Sequence, residues 1–381
     1  MKNASLQVKR FAIALLLAAV LAGCHKDTVN NTPAVTSLLP DHGDIGSSVT
    51  ISGNHFDAAT EVYFGKTKAT EVTVVDPLHI TAKVPAGAVS GKVSIRENAA
   101  AYDFNGSFTV TNAWMPRNTG FGDSMTRVAG IYFLIDNKIY LGWGLDEVSF
   151  ISNFKVFDLA TNTWSEGPAL PARIGQRYYL TAVQKGNLVY LGGGIHNSAP
   201  MNDFWEFDPA KTGDAACRPL PDLPESVWGA WSYLQNGTIN VSPGVSNLKL
   251  FSFDAGANGG QGGWTNPLTT KIAYVVAPLV INDRLYYNEK EEYWSQDPLK
   301  TIAALPFALN WASSCTIGPK AYLLNAAGNF AAYDAAANQW QLLPKLPISE
   351  NATFRLPMMP TGHGFMTVLP NGQVYEFVPG Y

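Results

Sequence analysis

From Pro33 onward, short apolar runs alternate with polar breaks, and few stretches carry the spacing of a long amphipathic helix. The runs are rich in Val, Ile, Tyr and Phe and are bounded by Gly, Pro, Asn and Asp, which predicts an all-β chain. The stretch FDLATNTWSEGPALP, Phe157 to Pro171, shows the local grammar: an apolar residue, an Asp, a polar turn, a Trp and a Leu-Pro. That grammar repeats. GNLVYLGGG, NDFWEFDPAKT and LPDLP form a second copy, and GTINVSPG, LKLFSFDAG and Trp264 a third. DRLYYNE with EEYWSQDP is a fourth, and PKAYLLN with NFAAYDAAANQW and LPKLP a fifth. A sixth, HGFMTVLPNGQVYEFVPGY, lacks its Trp strand. Asp158, Asp208, Asp254, Asp297 and Asp334 mark the copies at intervals of roughly 40 to 50 residues, the period of a four-stranded propeller blade.

TNAWMPR, Thr111 to Arg117, has the Trp and Pro of a blade end but no blade before it. It is the expected donor of the missing last strand, an arrangement that removes open sheet edges. The prediction for 113–381 is a six-bladed β-propeller closed by this N-terminal strand. Asp158, Asp208, Asp254 and Asp334 are expected to open turns by accepting backbone N–H groups. Trp164, Trp264 and Trp340 are expected to fill the space between blades. Residues 33–112 have a different rhythm, with alternating strands at Val49–Ile51, EVYF, HITAKVP, GKVSIRE and SFTVTN, as in a small β-sandwich.

Pro40, Gly43, Gly46, Val49, Ile51, Gly53, Phe56, Val62, Phe64, Gly65, Ile80, Val84, Pro85, Gly91 and Val93 carry a resemblance of this segment to the IPT/TIG immunoglobulin-like family. The resemblance implies a spacer or interaction module. The later repeats resemble the Kelch family. The matching residues are the Gly192-Gly193 pair, Phe207-Asp208, Phe157-Asp158 with Asn162 and Trp164, and Tyr333-Asp334 with Asn338 and Trp340. The third and fourth copies depart from it, with Ser242-Pro243 and Asn288-Glu289 where the diglycine would stand.

Composition narrows the function. The net charge of −4 leaves no basic footprint, so nucleic acid is not an expected partner. Lys2, Lys9 and Arg10 precede the apolar run Phe11 to Leu21, which closes on Leu21-Ala22-Gly23-Cys24. This is the pattern of a cleaved leader, and it resembles a bacterial lipobox. That resemblance implies a signal peptide over 1–23, a lipid on Cys24, a tether over 24–32, and anchoring in the cell outer membrane with surface exposure. The exported compartment permits a disulfide, but spacing alone does not pair Cys217 with Cys315. No Cys/His set has metal-site spacing, so neither metal nor cofactor is expected.

The loops after each Leu-Pro and after each Gly-ended strand concentrate aromatic and amide or guanidinium side chains. Trp143, Trp228, Trp231, Tyr274 and Trp311 offer flat faces for sugar rings. Arg173, Gln176, Arg177, His196 and Arg355 offer polar contacts, as do Arg117 and Asn310. The expectation is non-catalytic capture of extracellular carbohydrate, with an outer-membrane transporter as partner, although for each single Trp inner-strand packing is the blander role. A carbohydrate epimerase or mutarotase is the first alternative, since Kelch-type mutarotases exist and Asp146, Glu147, Glu225 and Glu350 are available carboxylates. A protein–protein scaffold using the same face is the second. The copper chemistry of galactose oxidase, another Kelch protein, is not expected from His196, His363 and two Cys outside any motif.

Overall fold

The computed structural model describes residues 32–97, 100–120, 130–145, 150–242, 249–265, 268–269, 277–289, 292–295, 300–348 and 355–380. The leader, Cys24, Tyr274, Asp146, Glu147 and Glu350 lie outside the described residues. The chain divides into two units, one comprising Gly46–Phe108 with the residues up to Asp41, the other His42–Ile45 and Thr109–Tyr381.

In the first unit, Ala34–Leu39, Ser48–Asn54, His79–Lys83 and Val72–Asp76 form one sheet in that order. Thr67–Lys68, Glu61–Phe64, Val93–Glu97 and Ala100–Asp103 form the other. Period-two alternation selects the core. Val49 and Ile51 are sealed from solvent while Ser48 and Thr50 face out, and Val62, Phe64, Val93 and Ile95 come from the opposite sheet. Phe64 meets Phe108 edge-on, with ring centroids 5.0 Å apart. Gly53 is required by close approach: a Cβ there would lie 2.0 Å from the Ala34 carbonyl oxygen and 2.3 Å from the Phe56 ring. His79 pairs with Asp76 at 2.9 Å on the surface, as its place beside a turn predicts.

The second unit is a series of antiparallel sheets. The first runs Ile131–Ile135, Lys138–Leu145, Phe150–Asp158, Thr163–Ala169. The second runs Thr181–Lys185, Leu188–Gly192, Phe204–Phe207, Cys217–Leu220. The third runs Ser232–Gln235, Thr238–Val241, Lys249–Asp254, Gly263–Trp264, with Leu268–Thr269 also pairing to Lys249–Asp254. The fourth is Leu279–Ile281, Arg284–Glu289, Glu292–Ser295, Lys300–Thr301, and the fifth Ser313–Ile317, Lys320–Leu324, Phe330–Asp334, Gln339–Leu343. The sixth joins Met359–Pro360, Phe365–Val368 and Val374–Phe377 to Trp114–Pro116, with Trp114 opposite Phe377 and Pro116 opposite Tyr375.

The first strand of each sheet lies beside the first strand of the next, and Ile131–Ile135 lies beside Met359–Pro360 of the sixth. Apolar faces of neighbouring sheets share cores. Ile131, Phe133 and Phe154 pack with Leu191 and Phe207, and Ile139 and Phe157 pack with Met366 and Val374.

The repeat residues act locally as their chemistry predicts. The Asp158 carboxylate accepts the N–H of Ala160 at 2.8 Å, Asp208 that of Ala210 at 3.0 Å, Asp254 that of Gly256 at 2.9 Å and Asp334 that of Ala336 at 2.9 Å. Asn236 and Gly237 both take positive φ, +50° and +71°, as a tight hairpin turn requires. Each fourth-strand Trp reaches the preceding sheet. The indole of Trp264 donates to the Pro221 carbonyl at 2.8 Å, Trp340 to Ala303 at 3.0 Å and Trp114 to Pro344 at 2.8 Å.

Candidate functional site: an aromatic-walled cavity

The first strand of each sheet is hydrogen-bonded within its sheet on one side only. In and just before the first strands of the first, second, third, fifth and sixth sheets lie residues that line a cavity of ≈ 730 Å³ within the second unit. Its wall includes Tyr132, Tyr179, Trp228, Trp231, Trp311 and Arg355, with polar groups from Thr181, Gln184, Ser232 and Ser314. This volume suits a small ligand or a short stretch of a chain molecule.

The entry to each first strand positions the aromatic residues. Tyr179 and Trp311 each stand two residues before such a strand, and both adopt left-handed backbone, with φ of +58° and +55°. Ala277 holds the same place before Leu279 with φ +52°. For a bulky residue this conformation costs about 1–2 kcal/mol. The surroundings hold it in place: the Tyr179 carbonyl accepts the Gly229 N–H at 3.1 Å. The Tyr179 ring lies 5.2 Å from Tyr178 and 5.8 Å from Trp228, so three rings cluster here. Trp311 is 51% exposed.

Trp231 is fixed by its backbone. Its N–H donates to the Ser242 hydroxyl at 2.9 Å, and its carbonyl accepts the Ser242 N–H at 2.7 Å. The Arg355 guanidinium lies over the Trp231 ring, 4.3 Å from its centroid. The Trp231 indole Nε1 is buried and makes no hydrogen bond among the described residues. Gln184 accepts the N–H of Leu134 at 3.2 Å on the open edge of the neighbouring first strand. Thr181 and Ser232 share a hydrogen bond between their hydroxyls, and Ser314 donates to the Pro278 carbonyl at 2.7 Å. Burial pushes the Tyr132 phenol above its usual range, against the opposing pull of Ser313 and the Arg355 charge, so at neutral pH it is a protonated donor.

Of the residues expected from the sequence to bind ligand, Trp228, Trp231, Trp311 and Arg355 come together in this wall. Others are used elsewhere. Trp143 is 2% exposed and packs in the core with Phe133 and Phe154. Arg177 is equally buried, paired with Asp203 and donating to the carbonyls of Gly193 and Ile174. Arg173 lies over the Trp205 ring at 5.2 Å and donates to the Asp214 carbonyl at 2.9 Å. His196 Nδ1 sits 2.5 Å from the Gln176 carbonyl, and neither residue reaches the cavity wall. Arg117 joins Asn162 at 3.0 Å to Glu376 at 3.1 Å, and Glu225 pairs with Lys249. A guanidinium in a loop looks the same in sequence whether it meets a ligand or a carboxylate of its own chain such as Asp203.

Tyr132, Tyr179, Gln184 and Ser314 line the cavity without standing out in the sequence as ligand-binding residues. Their signal was position: each lies in, or just before, the first strand of a sheet, where one strand edge has no partner. Cys217 and Cys315 are both free and belong to different sheets. Among the described residues, no group of three or more His, Cys, Asp or Glu is placed to hold a metal ion.

Residues 33–111 match the IPT/TIG domain family, so the first unit is an IPT/TIG domain of immunoglobulin-like fold. No curated protein matches the chain. Among solved structures, one similar chain is a structural genomics protein of unknown function from Bacteroides thetaiotaomicron VPI-5482. It aligns over 92% of this chain and 98% of its own length, at 12% identity and a TM-score of 0.43, which is too distant to bear on function.

Proposed function

We propose that this chain is a lipid-anchored cell-surface protein that captures extracellular carbohydrate without transforming it, for delivery to an outer-membrane transporter. In this reading the six sheets are blades of a Kelch-like propeller closed by Trp114–Pro116, and the cavity is the mouth of its central channel. The IPT/TIG domain is a spacer between Cys24 and the propeller. Support for the propeller comes from the succession of first strands beside one another and from the fourth-strand Trp residues bonded to the preceding sheet.

The observation that carries the binding reading is the composition of the cavity wall. Tyr179, Trp228, Trp231 and Trp311 offer ring faces of the kind that pack against sugar C–H groups, beside hydroxyl, amide and guanidinium donors. An epimerase or mutarotase would need an acid–base pair. Among the described lining residues none is a carboxylate or an imidazole. The test is calorimetric titration of the chain from His25 onward against a panel of polysaccharides, with product analysis of each mixture. Micromolar-to-millimolar binding of one glycan, recovered unchanged, supports the reading. A chemically altered sugar would move the assignment to an enzyme, and binding of no glycan would move it to a protein scaffold.

A further inference from the structure

We infer that the cavity selects a neutral sugar chain whose pyranose rings carry their hydroxyls equatorially, held face-on by the rings of Tyr179 and Trp311. The inference rests on the carbohydrate-binding reading above and narrows its ligand class.

Backbone conformation and exposure single out the two rings. Tyr179 and Trp311 hold the same place before the first strands of two different sheets, and both keep left-handed backbone there. A bulky residue held in that conformation points to a role that compensates the strain. Packing does not supply the role at Trp311. It is 51% exposed, and its indole makes no hydrogen bond or ring contact among the described residues. The turn itself does not demand a ring either, because Ala277 takes the same conformation before a third first strand and is sealed from solvent.

The polar groups of the wall fit a ligand read by its faces. Those of the strands are engaged within the protein. Gln184 donates to the Gly186 carbonyl at 3.1 Å as well as accepting from Leu134, Thr181 and Ser232 bond each other, and Ser314 donates to Pro278. Arg355, the one charged residue of the described wall, is stacked on Trp231 and has a further partner in the chain. The Tyr179 hydroxyl and the Trp228 indole N–H, by contrast, are neither sealed nor paired among the described residues, and both belong to rings of one cluster.

Such a wall grips a ring face and has no uncommitted charge with which to meet an ion. A pyranose with equatorial hydroxyls exposes C–H groups on both faces. It lies flat on an aromatic ring and turns its hydroxyls outward, to ring-borne donors or to water. An axial hydroxyl stands between the two faces, and its desolvation over the ring is uncompensated. A charged unit would leave water for a wall without a free counter-charge. At ≈ 730 Å³ the cavity exceeds one pyranose ring, so a stretch of chain fits it.

The chain from His25 onward, which retains every described residue, is titrated calorimetrically with two pairs of neutral oligosaccharides. Cello- and manno-oligosaccharides share a linkage and differ in one axial hydroxyl. Laminari-oligosaccharides and the galactan of the same linkage form the second pair, and a polyuronate forms a further arm. Trp311→Gly and Tyr179→Gly, which suit the left-handed backbone, and Tyr179→Phe are run in parallel, with thermal unfolding to show that each is folded. The expected result is binding of one equatorial chain about tenfold or more tighter than its axial epimer, with an affinity that does not change with salt. The two Gly variants lose both affinity and the preference between epimers, and Tyr179→Phe keeps the preference. Rings that only support the fold would weaken both epimers alike and leave their ratio unchanged, which would overturn the inference. Equal binding of the epimers by the unmodified protein, or tighter binding of an axial chain or of the polyuronate, would also overturn it while leaving the capture reading intact. That comparison needs no variant, so it holds even where a Gly variant does not fold. Failure of every glycan to bind would remove both.

Discussion

The indole N–H of Trp164 donates to the carbonyl of Gly372 at 2.8 Å, tying the sheet that starts at Ile131 to the hairpin turn of the last sheet, 208 residues away in sequence. Arg117 reinforces the junction through Asn162, Leu159 and Glu376. Trp164→Phe, which loses the bond but keeps most of the ring, is expected to cost about 1 kcal/mol. Trp164→Ala is expected to cost about 3 kcal/mol. Urea unfolding measures both, and an Ala variant no less stable than the Phe variant would show that the Trp164 ring contributes nothing to this seam.

Trp311 combines exposure with left-handed backbone. Glycine adopts that conformation freely but loses more entropy on folding, so the two effects nearly cancel. Trp311→Gly should stay within about 1 kcal/mol of the native stability, and Trp311→Ala should be the less stable of the two. Both should lose at least tenfold in glycan affinity. A marked loss of stability in Trp311→Gly would show that the ring is a packing residue instead.

Arg177 is expected to matter for folding and not for binding. Its removal leaves the partly buried Asp203 with the Trp205 indole, which donates to it at 2.7 Å. Arg177→Ala should lose about 2–3 kcal/mol, from the lost charge-assisted hydrogen bonds of a buried guanidinium. The protein that still folds should bind glycan with unchanged affinity in the same titration.

Acid stability has an identifiable source. Burial opposes ionisation of Glu206, but bonds from Arg218 at 2.8 Å and Tyr190 at 2.9 Å outweigh it, and the carboxyl is held below its ordinary value of 4.5. The folded state thus binds this proton less readily than the unfolded chain. Its contribution is complete above the ordinary carboxylate range and fades as pH falls through the lowered value. Tm should drop on acidification below about pH 4.5, and Glu206→Gln, less stable at neutral pH, should show a shallower drop. Parallel Tm curves for the two proteins would assign the acid sensitivity to other groups.

Cys217 is 3% exposed, and burial pushes its thiol up to about 12. At pH 8 it should resist alkylation in the folded protein and react fully in denaturant, as followed by mass spectrometry. Rapid native labelling at Cys217 would contradict its place in the core.

The sequence by itself determined the elements that depend on near neighbours. Alternation fixed which face of each strand is apolar. Asp158 and Asp208 had to cap the turns that follow them, and Asn236-Gly237 had to turn a hairpin, because the partners are a few residues away. The TNAWMPR stretch was legible as the missing strand of the last sheet because it carried the Trp of a fourth strand without the strands before it. The residues of the IPT/TIG resemblance pointed to the domain that residues 33–111 form. What only tertiary structure decided was the use of side chains whose partners are remote. Arg173, Arg177 and Trp143 had the composition of a binding site, yet Trp205, Asp203 and the Phe133–Phe154 core claimed them. Tyr132 and Gln184 looked like ordinary strand residues, and became part of the wall because their strands have one open edge. Ring contacts and ion pairs are short-ranged, so a side chain's role follows from the element packed against it, and the sequence does not say which one that is.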